Sequence, residues 1–368
     1  MTKVSLIPAH PSYGVISMLL YWQHLVASHA ANDPFELVPV FGRRPRVEDL
    51  KKHSKVQKAV ARKAAYPLRI RSSPIAGIAH ILDHSWSDML SYLPRRTLKV
   101  ITIHDLIPLR FPENLTAAQI ARFREQVAHL MLADSLIAVS NYTKSEILHY
   151  FDFPADRIHV IPNGVDIPTA AQQSARPVTL NGIDAQATFK IGSIGNTLER
   201  KNLEAFVAAL DGLSARIGRP VALVRAGDAL PERLAGDIRR IIGNDYLIEL
   251  GRLSDDDLGR FYAAVDVVAM PSLYEGFGLP VLEAMAWGTP VVSSGETSLK
   301  EVGGEAALYF DPRSAEDFQQ AIVQASRAET CSRMILNGRL HVRQFSWRKC
   351  LEGVYRVYQE TLDRGASR

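Results

Sequence analysis

Glu275 and Glu283 stand eight positions apart, separated by Gly276-Phe277-Gly278-Leu279-Pro280-Val281-Leu282. An apolar segment at residues 265–270 and a Pro271-Ser272 break precede this stretch, and a helical pattern over residues 281–287 follows it. A loop with two glycines therefore delivers backbone N–H groups to a helix N-terminus. Unpaired donors and the positive end of the helix dipole suit an anion there. Pro280 fits the first helical turn, where its missing N–H costs nothing. The two carboxylates bracket that anion site. One reaches a hydroxylated group in front of a phosphate, the other a hydroxylated group behind it. A nucleotide-sugar has this layout: sugar, diphosphate, ribose. Plainer roles exist for the same residues. A glutamate in a first helical turn is favourable through the dipole alone, and glycines before a helix are common turn formers.

The whole string resembles the Glu-x7-Glu motif of the retaining nucleotide-sugar glycosyltransferases of family 4. The likeness runs through Gly276 to Pro280 and on through Glu283-Ala284-Met285-Ala286 and Gly288-Thr289-Pro290-Val291-Val292. It spans nearly the whole chain and is strongest over residues 191–312. A second segment, Gly192-Ser193-Ile194-Gly195-Asn196-Thr197-Leu198-Glu199-Arg200-Lys201-Asn202, ends a strand pattern and opens a helix near Asn202. An Arg-Lys pair in isolation is a solvated turn. At this junction the two cations can meet a diphosphate through charge-assisted bonds. Lys201 matches the phosphate-binding lysine of the resembled family, and Arg200 is the candidate for its partnering arginine. Many members carry that arginine directly after the glycine, where this chain has Asn196.

Gly251-Arg252-Leu253 matches the position whose backbone reads the nucleobase, although a plain strand-to-loop turn has the same composition. In the first half of the chain, Gly14 closes a turn after the first strand, where backbone can approach a phosphate or sugar. The family has a fuller glycine-rich turn there. His104 ends another strand, where ligands bind in parallel sheets, and residues 102–108 resemble the family's histidine loop near the donor sugar. Phe111-Pro112-Glu113 and residues 138–144 extend the likeness towards the mannosyltransferase B-like branch, which builds polysaccharide chains.

The resemblance implies a retaining hexosyl transfer, mannose from GDP-mannose being the reading taken, to a glycan or lipid-linked glycan. It implies Glu275, His104, Lys201 and Arg200 as catalytic residues. Gly14, Asn196, Arg252, Leu253, Gly276, Phe277, Gly278, Leu279 and Glu283 would bind the donor. Same-face attack, with the departing phosphate taking the acceptor proton, belongs to the same implication. No cofactor beyond the nucleotide-sugar substrate is expected. The chain is read as carrying no Asp-x-Asp signal, so metal independence is expected as well. The rival readings are a phosphorylase or epimerase of this architecture and a non-catalytic glycan-binding protein derived from such an enzyme.

Short apolar runs alternating with helical patterns must position these residues. Strands are expected at residues 4–7, 35–40, 80–82, 100–103, 135–139 and 159–161. A second series falls at 189–194, 221–225, 246–250, 267–270, 291–293 and 307–310. Such alternation predicts parallel sheets with helices on both faces. The turn-rich stretch 162–168 divides the series. An N-terminal Rossmann-like domain is thus expected over residues 1–168 and a nucleotide-sugar-binding one over 169–346. Together they make the α/β GT-B fold, two doubly wound domains facing across a cleft. The resemblance adds a C-terminal helix, about residues 347–368, crossing back to the first domain.

The chain has 368 residues, 47% apolar and 22% charged, a globular composition with room for two domains. It has no apolar run long enough for a membrane helix and no signal-peptide pattern at its start. Cys331 and Cys350 have no partners at zinc spacing. The expected location is cytoplasmic, with a peripheral position on the inner face of the cytoplasmic membrane as the alternative. Residues 43–71 concentrate Lys and Arg against only Glu48 and Asp49. That run is a solvated helical face, an anionic membrane surface or the seat of a phosphate-bearing acceptor. One aromatic residue, Tyr66, and no recognition motif argue against nucleic acid.

Overall fold

The computed structural model describes residues 2–9, 16–40, 55–173 and 187–367. Two compact units divide the chain: Met1–Gly164 with Trp347–Arg368, and Val165–Ser346. Each is built on a six-stranded, all-parallel sheet.

The first unit contains β1 (Thr2–Ile7), β2 (Phe35–Pro39), β3 (Ile78–Ile81), β4 (Leu98–Ile103), β5 (Ser135–Ala138) and β6 (Ile158–Val160), in the spatial order β2-β1-β3-β4-β5-β6. β3 and β5 are buried along their whole length, as strands covered by helices on both faces must be. The connecting helices carry the caps their sequence offers. Thr116 and Gln119 form a reciprocal capping box on Ala117–Ala128, and Ser140 caps Asn141–Tyr150.

The helix Trp347–Ala366 completes this unit, close to the expected bounds. Trp347, Leu351, Val354 and Tyr358 are buried in one cluster with Val4, Leu6, Tyr21 and Trp22. Polar contacts fix its register. Arg348 donates to both carboxylate oxygens of Asp33, at 2.6 and 2.8 Å. The Tyr358 hydroxyl lies 2.6 Å from Nδ1 of His80, whose Nε2 lies 2.8 Å from the Thr102 hydroxyl. Burial first, and the neighbouring His104 second, push the His80 imidazole down to about 3, so it stays neutral in the core.

The second unit contains β7 (Phe189–Gly195), β8 (Val221–Gly227), β9 (Leu247–Gly251), β10 (Val267–Met270), β11 (Val291–Ser294) and β12 (Leu308–Phe310). Their order is β12-β11-β10-β7-β8-β9. The chain lays three strands outward from β7 on one side and three outward from β10 on the other. The reversal lies between β7 and β10, and a doubly wound sheet opens its ligand crevice at such a switch point. All twelve expected strands are present. Between β7 and β8 the chain forms two short helices, Glu204–Leu210 and Leu213–Ile217, separated at Gly212, whose φ is 70°.

Candidate donor site at the second sheet's switch point

β7 ends at Gly195, with φ 120°, and β10 ends at Met270. The loops after these two strands carry the charged residues singled out above. After Gly195 the chain passes through Asn196, whose Oδ1 accepts from the Leu198 N–H at 3.3 Å, into the helical turn Glu199–Lys201. Asn202 follows in the left-handed region, φ 52° and ψ 44°, which asparagine tolerates. Its amide donates to the Pro271 and Pro312 carbonyls at 3.1 and 2.9 Å, and the Leu273 N–H donates to the Arg200 carbonyl at 2.7 Å. These bonds lash the two loops together.

The loops bring Arg200, Lys201 and Glu275 into one cluster. Lys201 Nζ donates to Glu275 Oε1 at 2.6 Å, and an Arg200 terminal nitrogen donates to Oε2 at 3.3 Å and to the Tyr274 carbonyl at 3.1 Å. Ser272 Oγ donates to Glu275 Oε1 at 2.8 Å. Lys201 and Glu275 are 8% and 9% exposed, so the pair is held largely out of water. Burial opposes ionisation of Glu275, but Lys201 and Arg200 outweigh it and hold the carboxyl below the usual range. The cluster carries two cations against one carboxylate, and Arg200 Nε is buried without an acceptor. A buried N–H in that state is costly. An anion entering beside Arg200 would supply the missing acceptor and balance the surplus charge.

The backbone of Glu275 is pinned from a third loop. Its N–H donates to Thr297 Oγ1 at 3.1 Å, and its carbonyl accepts from Ser298 Oγ at 2.8 Å. Thr297 has φ 55° and ψ −134°, an unfavourable conformation for a β-branched residue. Gly276 and Phe277 are buried, and Ser298 Oγ also donates to the Phe277 carbonyl at 3.0 Å. Gly278, with φ 98°, caps the helix Leu279–Trp287, and a Cβ there would lie 2.7 Å from the Leu299 side chain. The helix begins two residues earlier than the sequence pattern suggests. Leu279 and Pro280 fill its first turn, and Glu283 falls in the second turn rather than the first. The dipole account of Glu283 is weakened accordingly, since that effect fades within the first turn.

Glu283 stands apart from the cationic cluster. Tyr262 donates to its Oε2 at 2.6 Å. Burial raises the Glu283 carboxyl above the usual range against that hydrogen bond, with Asp255 and Asp166 adding to the rise. Arg252 is exposed and donates twice to Asp228 Oδ1, at 3.1 and 3.0 Å; Leu253 beside it is half-buried. His104 belongs to the first unit, at the end of β4. Its Nε2 lies 2.9 Å from the Leu82 carbonyl, which makes Nε2 the donor and leaves Nδ1 as the acceptor. Burial keeps its pKa low despite Asp83, so the ring is neutral. Gly14 and residues 43–54 of the basic run lie outside the described residues.

One reading of the sequence needs correction. Asp255-Asp256-Asp257 does contain an Asp-x-Asp spacing. These residues form the first turn of the helix Asp255–Ala264, capped by Ser254, where acid complements the dipole. Among the described residues no three His, Cys, Asp or Glu side chains are grouped to hold a metal. Sequence reasoning also missed Ser272, Thr297, Ser298 and Tyr262, which hold the two glutamates. Ser272 sits in the break before Glu275 and was the most visible; Thr297 and Ser298 carry no local signal.

Two Rossmann-like units, each on a six-stranded parallel sheet, are the GT-B architecture. The chain matches the family description "Glycosyltransferase Family 4" over residues 21–168 and "Glycosyl transferases group 1" over residues 188–327. It is 31% identical over 276 residues to O-antigen chain mannosyltransferase B of Escherichia coli, covering 73% of this chain and 72% of that one. It is 30% identical to the serotype-specific mannosyltransferase WbdA of Escherichia coli over 282 residues, 73% of this chain but 34% of that larger protein. Among solved structures, sucrose-phosphate synthase of Thermosynechococcus elongatus superposes with a TM-score of 0.68 at 21% identity, over 99% of this chain and 100% of that one. The Anabaena protein Alr3699/HepE, solved with UDP and glucose, gives 0.71 at 18% identity, over 98% and 100%. The chain belongs to glycosyltransferase family 4 and is of the mannosyltransferase B-like type. Its activity is glycosyl transfer in glycan biosynthesis.

Proposed function

We propose that the chain transfers mannose from GDP-mannose to a glycan or lipid-linked glycan, with retention of configuration and without a divalent metal. The observation that carries this reading is the buried cluster of Lys201, Arg200 and Glu275, with its surplus positive charge and orphaned Arg200 Nε. The likeness to two mannosyltransferases supports the choice of sugar. Lys201 and Arg200 neutralise charge that grows on the leaving diphosphate as the glycosidic bond breaks. In a dry site such fixed charge is worth more than in water, because it needs no reorganisation. Glu275 orients both cations and takes hydroxyls of the sugar. Glu283, held by Tyr262, takes the ribose. A catalytic role for the neutral His104 belongs to the same proposal and rests on the resemblance of its loop. Attack occurs on the face the leaving group departs from, and the departing phosphate accepts the acceptor's proton.

The test is donor consumption by the purified chain with GDP-mannose, UDP-glucose and ADP-glucose, each with and without EDTA. GDP release from GDP-mannose, undiminished by EDTA, is the expected result. Preference for another donor would remove the mannose assignment; complete loss in EDTA restored by magnesium would remove metal independence.

Contact with an anionic membrane surface belongs to the same proposal. Lys63, Ala64, Leu68, Arg69 and Arg71 are exposed on the helical stretch Ala61–Ala65 and Tyr66–Ser72, and Val60 beside them is exposed too. Exposed apolar side chains among cations suit the boundary of an anionic leaflet, where each Lys or Arg adds about 1 kcal/mol and salt screens the attraction. Co-sedimentation with phosphatidylglycerol vesicles at low salt, lost as salt is raised, is expected. A chain that stays in the supernatant with anionic and neutral vesicles alike would refute the contact.

A further inference from the structure

Arg225 interrupts the apolar strand β8 and is 1% exposed. A buried guanidinium has five donors to satisfy, and replacing it by an apolar residue of like size would spare the chain that cost. Each nitrogen has an acceptor. Nε donates to the Asp228 carbonyl at 3.1 Å, and one terminal nitrogen donates to Ser193 Oγ at 2.9 Å. The other terminal nitrogen donates to the Gly195 and Asn196 carbonyls at 2.8 and 3.0 Å. Arg225 therefore holds two successive carbonyls of the loop that leads to Lys201.

A peptide group is planar and trans, so its C=O and N–H point in opposite directions. With the Gly195 and Asn196 carbonyls turned to Arg225, the N–H groups of Asn196 and Thr197 point to the other side of the loop. Lys201 lies against this loop, since a Cβ on Gly195 would come within 3.4 Å of Lys201 Nζ. Successive N–H groups aimed the same way form a concavity suited to an anion.

We propose that Arg225 is a positioning residue for the donor diphosphate: it turns two peptide planes so that the Asn196 and Thr197 N–H groups bind the diphosphate beside Lys201. The inference rests on the reading of Lys201 as a diphosphate ligand. Arg225 touches no substrate atom and acts through the loop.

The test uses the full chain and calorimetric titration with GDP, UDP and ADP, followed with whichever binds the wild type most tightly. Arg225→Gln is expected to weaken that affinity about tenfold, the worth of one charge-assisted hydrogen bond, with Arg225→Lys in between. In the wild type, the amide proton resonances of Asn196 and Thr197 should move downfield when the nucleotide is added. Unmoved amides, or a folded Arg225→Gln variant with unchanged affinity, would overturn the proposal. If Lys201→Ala weakens binding and Arg225→Gln does not, this inference alone fails. If neither weakens it, or the wild type binds none of the three nucleotides, the donor-site reading fails with it. Should both Arg225 variants fail to fold, the wild-type amide shifts decide.

Discussion

Replacing Lys201 by alanine is expected to lower turnover about a hundred- to a thousandfold, the usual effect of deleting one preorganised charge at a leaving group. Nucleoside diphosphate affinity should fall as well, because the cation is present before chemistry starts. The 2.6 Å contact with Glu275 sharpens the expectation. Without Lys201, the buried Glu275 retains, among the described residues, only Arg200, at 3.3 Å, as an ionic partner, so the carboxylate loses its orientation with its counter-charge. Glu275→Gln keeps the shape and removes the charge; it should depress sugar transfer while leaving nucleoside diphosphate binding largely intact. Glu283→Gln should do the reverse. Thermal denaturation must accompany the kinetics, since breaking a buried pair also destabilises the unit. Unchanged turnover and affinity in a folded Lys201→Ala chain would take Lys201 out of the site.

Deleting residues 347–368 is expected to abolish folding of the first unit rather than trim it. Trp347, Leu351, Val354 and Tyr358 are buried against that unit's sheet and first helix. Each large apolar side chain contributes about 1.5–3 kcal/mol on burial, so the four together are comparable to the whole stability of a domain, about 5–15 kcal/mol. The deletion also leaves His80 and Asp33 without Tyr358 and Arg348. Circular dichroism and proteolysis would register the loss; a deletion chain whose first unit melts cooperatively near the wild-type temperature would contradict the packing account.

The sheets were legible because strands buried on both faces leave continuous apolar runs, and each of the twelve runs became a strand. The boundaries were less so. β8 extends through Arg225 to Gly227, and nothing local distinguishes a buried arginine from one that ends a strand. Glu275 and Lys201 were visible as motif residues, but their direct pairing was not. It depends on β7 and β10 being neighbours, a fact of topology and not of spacing. Thr297 was invisible for the same reason: its role is to meet an N–H twenty-two residues away. Glu283 was placed a turn too early because Gly278 and Leu279 read as loop, whereas the left-handed Gly278 is the cap.

The central claim is that Lys201, Arg200 and Glu275 form the site at which a sugar leaves its diphosphate. Its most direct test is proton NMR of GDP-α-mannose incubated with the purified chain in EDTA, wild type beside Glu275→Gln. The account predicts slow release of GDP with α-mannose, or an α-mannoside when acceptor is present, as the first-formed product, and a large loss of that release in Glu275→Gln. First-formed β-mannose, or equal release by the folded Glu275→Gln chain, would contradict it.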